Sequence, residues 1–219
     1  MQAEPRQPVP VLPLANVVLF PHAMLPLRVT DLRHRTLVRD ALAGERLIAL
    51  ALSRPGPEEV EGSAEVFPLG CLARVQDVEW LPDDCYDVKL AGLVRVRLER
   101  QVREYPYRAA HVRLVPQEPY TEDDPLVLSE REAATRVLER VLGAAASAAG
   151  LPAPPLPGPE SSYEAVVNLM CMCLDAGPEE KLALLELDSV IERGRRARER
   201  VERGLRPRGP AHPGDGESN

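Results

Sequence analysis

The sequence DVKLAGLVRVRLE, residues 87–99, contains the strongest β-strand pattern of the chain. Apolar and polar residues alternate along it, as they do in a strand with one face in a core. The apolar set is Val88, Leu90, Val94, Val96 and Leu98, and the polar set is Lys89, Arg95, Arg97 and Glu99. Gly92 lies on the apolar face, where it predicts a bulge or a sharp bend of the kind that closed sheets require.

The residues around this strand extend the β pattern over residues 8–118. Cys71 and Val75 belong to one face of an upstream strand, and the turn sequence LPDD at residues 81–84 predicts a hairpin that joins the two strands. Asp83, Asp84 and Asp87 are interpreted as turn residues rather than as paired catalytic carboxylates. Only residues 31–44 have helical spacing, and they predict one helix inserted into the β-rich half.

The second half of the chain, residues 119–205, changes to a helical pattern. Three Ser-x-x-Glu pairs predict helix starts by capping: Ser129 with Glu132, Ser161 with Glu164, and Ser189 with Glu192. Pro178 suits the first turn of a further helix. Residues 1–7 are predicted to form an N-terminal arm. Residues 206–219 are predicted to form a disordered tail, since that segment offers almost no apolar area. The sequence therefore predicts an α+β protein.

Composition narrows the class of protein. With 44% hydrophobic and 28% charged residues the chain is globular, and its 23 prolines indicate many turns. Four cysteines are too few and too unevenly spaced for a disulfide framework, which favours a reducing cytoplasm. No apolar run approaches the roughly 20 residues that cross a bilayer, so no membrane partner is expected.

The residue types that carry catalysis are missing from their usual motifs. Lys89 and Lys181 are the only lysines, and neither lies in a phosphate-binding loop or beside a serine nucleophile. Cys171 and Cys173 would project about 200° apart on a helix, so they are interpreted as core residues rather than as metal ligands. The histidines, His22, His34, His111 and His212, are scattered. We therefore expect no enzyme activity, no metal and no cofactor.

Arginines cluster near the end of the chain, between Arg193 and Arg208. Such a run could bind nucleic acid, but no aromatic residue is interleaved, and Glu192, Glu199 and Glu202 interrupt it. A solvated terminal helix with paired arginines is the preferred interpretation. RNA binding stays open as the alternative.

One segment resembles a known family. The sequence VLPLANVVLFPHAMLPLRV, residues 11–29, is similar to the opening of the Lon N-terminal, substrate-binding domain, in its free-standing bacterial form. Further similar segments follow in order: GCLARV at 70–75, LPD at 81–83, LAGLVRVRL at 90–98, YRAA at 107–110, LD at 174–175 and PEEKLALLE at 178–186. Two segments depart from the pattern, since residues 31–35 read DLRHR where the family commonly has acid-Pro-Arg-Tyr-Arg, and Asp84 stands where it has glycine.

The resemblance implies a PUA-like β-barrel over residues 8–118 with one inserted helix, followed by a C-terminal α-helical bundle over residues 119–205. It also implies a non-catalytic module that binds unfolded or tagged polypeptides, either as an adaptor for a Lon-type protease or as a chaperone-like factor in protein quality control. The alternative is a PUA-like RNA-binding protein.

The candidate polypeptide-binding residues surround the first hairpin and the inserted helix. They are Phe20, Met24, Leu32, Arg33, His34 and Arg35. A mixed apolar and charged surface is typical of transient polypeptide binding. Phe20 and Met24 could instead fill the core, and Arg33 and Arg35 are the members expected to be most exposed.

Overall fold

The computed structural model describes Pro5 and residues 7–55, 65–82 and 84–205. The strands are β1 (Val9–Leu14), β2 (Met24–Val29), β3 (Leu47–Ser53), β4 (Val66–Trp80), β5 (Tyr86–Arg103) and β6 (Ala109–Leu114). The helices are α1 (Leu32–Ala43), α2 (Pro125–Ala149), α3 (Tyr163–Cys173), α4 (Pro178–Glu186) and α5 (Val190–Leu205). A sheet with one inserted helix thus precedes four helices, and the α+β class is confirmed.

The strand pairings form a closed cycle. The order is β2-β5-β4-β3-β1-β6, and β6 pairs in addition with β5. β1 and β3 are parallel, whereas the other pairs are antiparallel. The predicted hairpin is the β4–β5 pair, and β2 lies outside the cycle beside the first part of β5. The PUA-like barrel, the helical bundle and the subdomain boundaries at residues 118 and 119 stay predictions.

A bulge divides β5 into two parts that serve different cores. The register with β4 shifts between the pairs Leu72–Val94 and Ala73–Gly92, so β5 holds one extra residue at this point. An extra residue turns every later side chain to the opposite face. Val88 accordingly packs in the core below α1, whereas Val94 packs against the core on the other face of the sheet. The expectation of one continuous apolar face is therefore wrong.

The same shift changes the place of Arg95. The alternation in the sequence predicted that Arg95 lies on the solvent face. In the structure Arg95 is 1% exposed and contacts the end of α4. The physical reason is the bulge, because alternation counted straight through it gives the wrong face for each residue beyond it.

A glycine is required at position 92 because the backbone of Phe20 passes close to it. A Cβ atom at this position would lie 2.2 Å from the carbonyl oxygen of Phe20. The Gly92 amide donates to Ala23 O at 2.9 Å, and its carbonyl accepts from His22 N at 2.9 Å. The segment before β2 is thereby tied to β5, and the bulge expected at Gly92 is confirmed.

The helix starts agree with the sequence at one capping serine and differ at two. Ser189 accepts from Glu192 N at 3.4 Å, as predicted. α2 instead begins at Pro125 and is capped by Asp124, so Ser129 lies inside it. The cap of α3 is Ser162, one residue after the predicted Ser161. Pro178 is the first residue of α4, as predicted. α2 begins after Asp124, and not after Ser129, because the proline at its first position has a φ angle already suited to the helix and has no N–H that would need an acceptor.

Two buried arginines join the sheet to the helices. Arg95 donates to Leu185 O at 3.0 Å and to Asp188 Oδ1 at 2.8 Å. Arg193 donates to Leu184 O at 3.1 Å and to Asn168 Oδ1 at 2.8 Å. These carbonyl oxygens belong to the C-terminal end of α4, where cations complement the helix dipole. The two side chains therefore cap α4 from the sheet and from α5.

The cysteines lie in packed surroundings. Cys71 and Cys171 are buried, and Cys173 is half-buried. Burial raises the pKa of Cys71 to about 12 and that of Cys171 to about 12. These thiols are consequently protonated at neutral pH, and a protonated thiol is a poor nucleophile and metal ligand.

Candidate functional site

The predicted site residues separate into three groups. Phe20 is 0% exposed and packs in the core shared with the helices, so it is not part of an exposed surface. Met24 is 51% exposed at the start of β2, and the other four lie in the first turn of α1. Phe20 is buried because the chain before β2 passes under the helical half, where its ring fills the space between the two.

Asp31 positions the first turn of α1. Its carboxylate accepts from Arg33 N at 2.7 Å and from His34 N at 3.3 Å, which satisfies donors that the helix leaves unpaired. This cap turns Leu32 outward, and Leu32 is 67% exposed. The Leu32 side chain is therefore accessible to a binding partner.

Arg35 connects α1 to the β4–β5 hairpin. Its Nη1 atom donates to the side-chain carboxylate and the backbone carbonyl of Asp84. Asp84 has φ 57°, a turn conformation that aspartate tolerates better than most residues. The Arg35 side chain is only 17% exposed, because the hairpin turn covers it. It holds the turn in place and is less exposed than the sequence suggested.

Trp80 is the residue that sequence reasoning missed. It is 64% exposed, and its ring packs against that of Tyr86, with 4.6 Å between the centroids and 54° between the ring planes. Tyr86 pairs in register with Val29, the last residue of β2, so Trp80 and Leu32 lie at the same end of the sheet. A signal was present, because the only tryptophan of the chain directly precedes a predicted turn.

We call this region the hairpin–helix surface, and it comprises Leu32, Arg33, His34, Arg35, Trp80 and Asp84. Met24 is separate, since it lies at the opposite end of β2 from Val29.

The charges of the hairpin–helix surface are balanced within the protein. Arg33 lies 3.3 Å from a carboxylate oxygen of Asp31, and Arg35 pairs with Asp84. The hydrogen bond from Arg33 lowers the pKa of Asp31, and burial lowers the pKa of His34. At neutral pH the carboxylate is therefore charged and the imidazole neutral. The surface presents apolar side chains within a neutralised frame, which suits an apolar segment better than a phosphate chain.

The arginine run of α5 is also largely paired. Arg195 and Arg198 share Glu130, with Arg195 Nε at 2.8 Å from its Oε1. Arg196 pairs with Glu192 at 2.7 Å, and Arg200 with Glu180 at 2.7 Å. Each of these cations already has a carboxylate partner, so the field available to a polyanion is small.

Two other kinds of site are absent from the described residues. Histidine, cysteine and carboxylate side chains in that part of the chain form no group of three or more that could hold a metal ion. Within the same residues, no helix combines the length and apolarity needed to cross a bilayer.

Comparison with known proteins assigns the family. The family model described as the substrate-binding domain of ATP-dependent protease La (LON) matches residues 8–203. The chain belongs to the LON substrate-binding domain family. Lon protease 2 of Myxococcus xanthus is 30% identical over 185 residues, which cover 82% of this chain and 22% of that protein. The Lon protease of Anaeromyxobacter dehalogenans is 31% identical over 134 residues, or 60% of this chain and 16% of that protein. The chain thus spans less than a quarter of these Lon proteases.

Solved structures of the LON family share the fold. The Lon N-terminal domain protein of Xanthomonas campestris superposes with a TM-score of 0.60 at 24% identity, covering 87% of this chain and 96% of that one. The N-terminal domain of Lon protease from the Mycobacterium avium complex gives a TM-score of 0.63 at 17% identity, covering 91% and 100%. At these identities the likeness concerns the fold, and the hairpin–helix surface stands on the geometry of this chain.

Proposed function

We propose that the protein is a non-catalytic module that binds unfolded polypeptide through the hairpin–helix surface. The observation that carries the proposal is the pair of exposed apolar side chains, Leu32 and Trp80, held at one end of the sheet by the ion pair of Arg35 and Asp84. Membership of a substrate-binding family supports polypeptide as the ligand.

The affinity follows from the size of this surface. Covering one large apolar side chain contributes about 1.5–3 kcal/mol, and tryptophan is enriched among the residues that dominate binding energy. Two such anchors, offset by the cost of ordering an unfolded client, give binding in the micromolar to millimolar range. Weak binding suits a factor that samples many clients and releases them.

The partner class is unfolded or tagged polypeptide, and the setting is cytoplasmic protein quality control. The module acts either as an adaptor that presents clients to a Lon-type protease or as an independent chaperone-like factor. RNA binding is the less favoured alternative, because four of the arginines that suggested it are paired with carboxylates: Arg195, Arg196, Arg198 and Arg200.

The test compares variants that remove large apolar side chains, each at least 64% exposed, from different places. Binding of a fluorescently labelled, permanently unfolded client is measured by anisotropy. Trp80→Ala and Leu32→Ala should each weaken binding by about 3- to 10-fold. Tyr105→Ala (83% exposed) and Leu151→Ala (66% exposed) are the controls and should leave it unchanged. Equal effects of all four variants would contradict a localised site, and absence of client binding by the wild type would reject the function.

A further inference from the structure

Strand β2 leaves one of its edges open. It pairs with β5, and no other strand in the described ranges pairs with it. The Gly92 amide donates to Ala23 O at 2.9 Å, which shows that the backbone of Ala23 faces β5. Alternation along an antiparallel pair then turns the backbone groups of Met24, Pro26 and Arg28 away from the sheet.

The open edge is accessible and has a defined hydrogen-bonding capacity. Met24 is 51% exposed, and the Arg28 side chain is 64% exposed. Met24 and Arg28 each offer an outward N–H, and all three outward residues offer a carbonyl oxygen. Pro26 has no N–H, and an outward-facing edge position is where a strand tolerates proline. Such an edge can pair with an extended chain.

We propose that β2 binds an extended polypeptide segment as an added antiparallel strand, with a carboxylate side chain opposite Arg28 and an apolar side chain opposite Met24. This inference rests on the proposed function and specifies the way in which the client is held.

The unused donor of Arg28 favours a carboxylate side chain on the added strand. Arg28 is the only charged residue of β2. Its Nε and Nη2 atoms each donate to the Asp87 carboxylate at 2.8 Å, and no described residue takes Nη1. Side chains directly opposite each other on paired strands have Cβ atoms about 4.5–5.5 Å apart. We expect a glutamate at this position of the added strand to accept a hydrogen bond from Nη1.

The other face of β2 selects apolar residues. Leu25 and Leu27 are partly buried and pack against the core below α1. Alternate residues of an added strand would extend this apolar row. If position 1 of the segment lies opposite Arg28, positions 2 and 4 lie opposite Leu27 and Leu25, and position 5 lies opposite Met24. The binding pattern is acidic at position 1 and apolar at positions 2, 4 and 5.

A second copy of β2 fits this edge less well than a client does. An antiparallel pair centred on Pro26 would place two prolines opposite each other, and neither could donate a hydrogen bond. It would also place Arg28 opposite Met24, which leaves the free guanidinium nitrogen without a carboxylate. An extended client has neither defect.

The experiment uses backbone-methylated peptides, so the protein itself stays unchanged. The parent peptide has glutamate at position 1, valine at 2 and 4, threonine at 3 and leucine at 5. The amide N–H groups at positions 3 and 5 would donate to the carbonyl oxygens of Pro26 and Met24, whereas those at positions 2 and 4 would point away from β2. We expect N-methylation at 3 and 5 to weaken binding at least 10-fold, and the isomer methylated at 2 and 4 to bind within about 3-fold of the parent.

Side-chain recognition is tested by removing the charge of each partner, the glutamate of the peptide and Arg28 of the protein. Glutamine at position 1 of the peptide should weaken binding to the wild type and have no effect on binding to Arg28→Ala. Protein that dimerises instead of binding the parent peptide at matched concentration would assign the edge to a second copy and overturn the inference.

The inference and the proposed function fail in different ways. Equal binding of the two methylated isomers, together with weaker client binding by Trp80→Ala, would overturn strand addition and leave the hairpin–helix surface standing. A wild-type protein that binds neither the peptides nor the unfolded client would reject both.

Discussion

Arg95 and Arg193 donate to the same backbone oxygen, that of Leu187, at 2.9 Å and 2.6 Å. The shared acceptor brings two guanidinium groups together in a buried place. Burial, followed by the charge of Arg95, lowers the pKa of Arg193 to about 10. Arg193 remains protonated at neutral pH because it has several hydrogen-bond acceptors, and the sheet and the helices are thereby held in one arrangement.

Replacement of Arg193 should destabilise the whole protein. Arg193→Met would leave buried acceptors, among them Leu184 O and Asn168 Oδ1, without a donor. We expect a loss of about 3 kcal/mol or more in the free energy of unfolding, measured by urea titration. The control is Arg196→Met on the same helix, where an exposed ion pair with Glu192 is lost, and we expect a change of about 0.5 kcal/mol or less. Similar losses in the two variants would contradict the buried cap.

A side chain at Gly92 should prevent normal folding. The Cβ atom of Gly92→Val would meet Phe20 O at 2.2 Å, a backbone atom that cannot move aside easily. We expect destabilisation by about 4 kcal/mol or more, or loss of expression. Gly143→Ala is the matched control, because nothing lies within 4 Å of its added Cβ atom inside α2. Alanine should stabilise that helix by about 0.5–1 kcal/mol. A melting temperature of Gly92→Val equal to that of the wild type would show that the close approach is absent.

The ion pair of His22 and Glu164 should make stability depend on pH. His22 Nε2 lies 3.6 Å from Glu164 Oε2, and this carboxylate raises the pKa of His22 above 6.5. A raised folded pKa means that the contribution is fully present below about pH 6.5 and is lost as pH rises through the raised value. Burial raises the pKa of Glu164, but His22 and Gln117 outweigh it and leave the pKa lowered, so the carboxylate stays charged in this range.

The measurement is the difference in unfolding free energy between wild type and His22→Asn from pH 5.5 to 8.5. Asparagine tolerates the left-handed backbone at this position, where φ is 65°. The difference should shrink toward high pH. A difference that is constant over this range would mean that the imidazole is not coupled to Glu164.

Arg35 and Asp84 should act on client binding as one unit. Neither is an apolar anchor, and their effect is to hold the hairpin turn against α1. Arg35→Met and Asp84→Asn should each weaken binding of the unfolded client about 3-fold, and the double variant should be no weaker than either single one. Additive losses would indicate that each side chain contacts the client by itself.

Local features such as the bend at Gly92 could be predicted from the sequence, whereas the positions of side chains beyond the bend could not. Gly92 was correctly interpreted as a bend, because a lone glycine on the apolar face of a strand weakens that strand unless the backbone bends or another chain segment approaches there. The resulting exchange of faces beyond the bulge could not be predicted, since an extra residue on one strand is visible only against its partner. Arg95 was misplaced for that reason, and Arg193 was grouped with solvated arginines because a buried cation resembles its neighbours in the sequence.

The candidate site was predicted in part for similar reasons. The inserted helix was predicted from the helical spacing of residues 31–44, and its first residues were chosen because they mix apolar and charged side chains. Trp80 was missed because Leu32 is 48 positions away in the sequence, and only the pairing of β5 with β2 and with β4 brings the two residues to one end of the sheet. Phe20 was a candidate for the surface, with the core as the alternative, because nothing local distinguishes an exposed aromatic residue from one that fills a gap between two halves.

The bulge in β5 has a consequence for how the molecule comes apart. One strand supplies Val88 to the core below α1, Val94 to the core on the opposite face, and Arg95 to the end of α4. Melting of any one of these regions would remove contacts that hold β5 in its native path. Heating should therefore produce a single cooperative transition, in which signals from the tryptophan and from the helices change together, and no half of the protein should outlast the other.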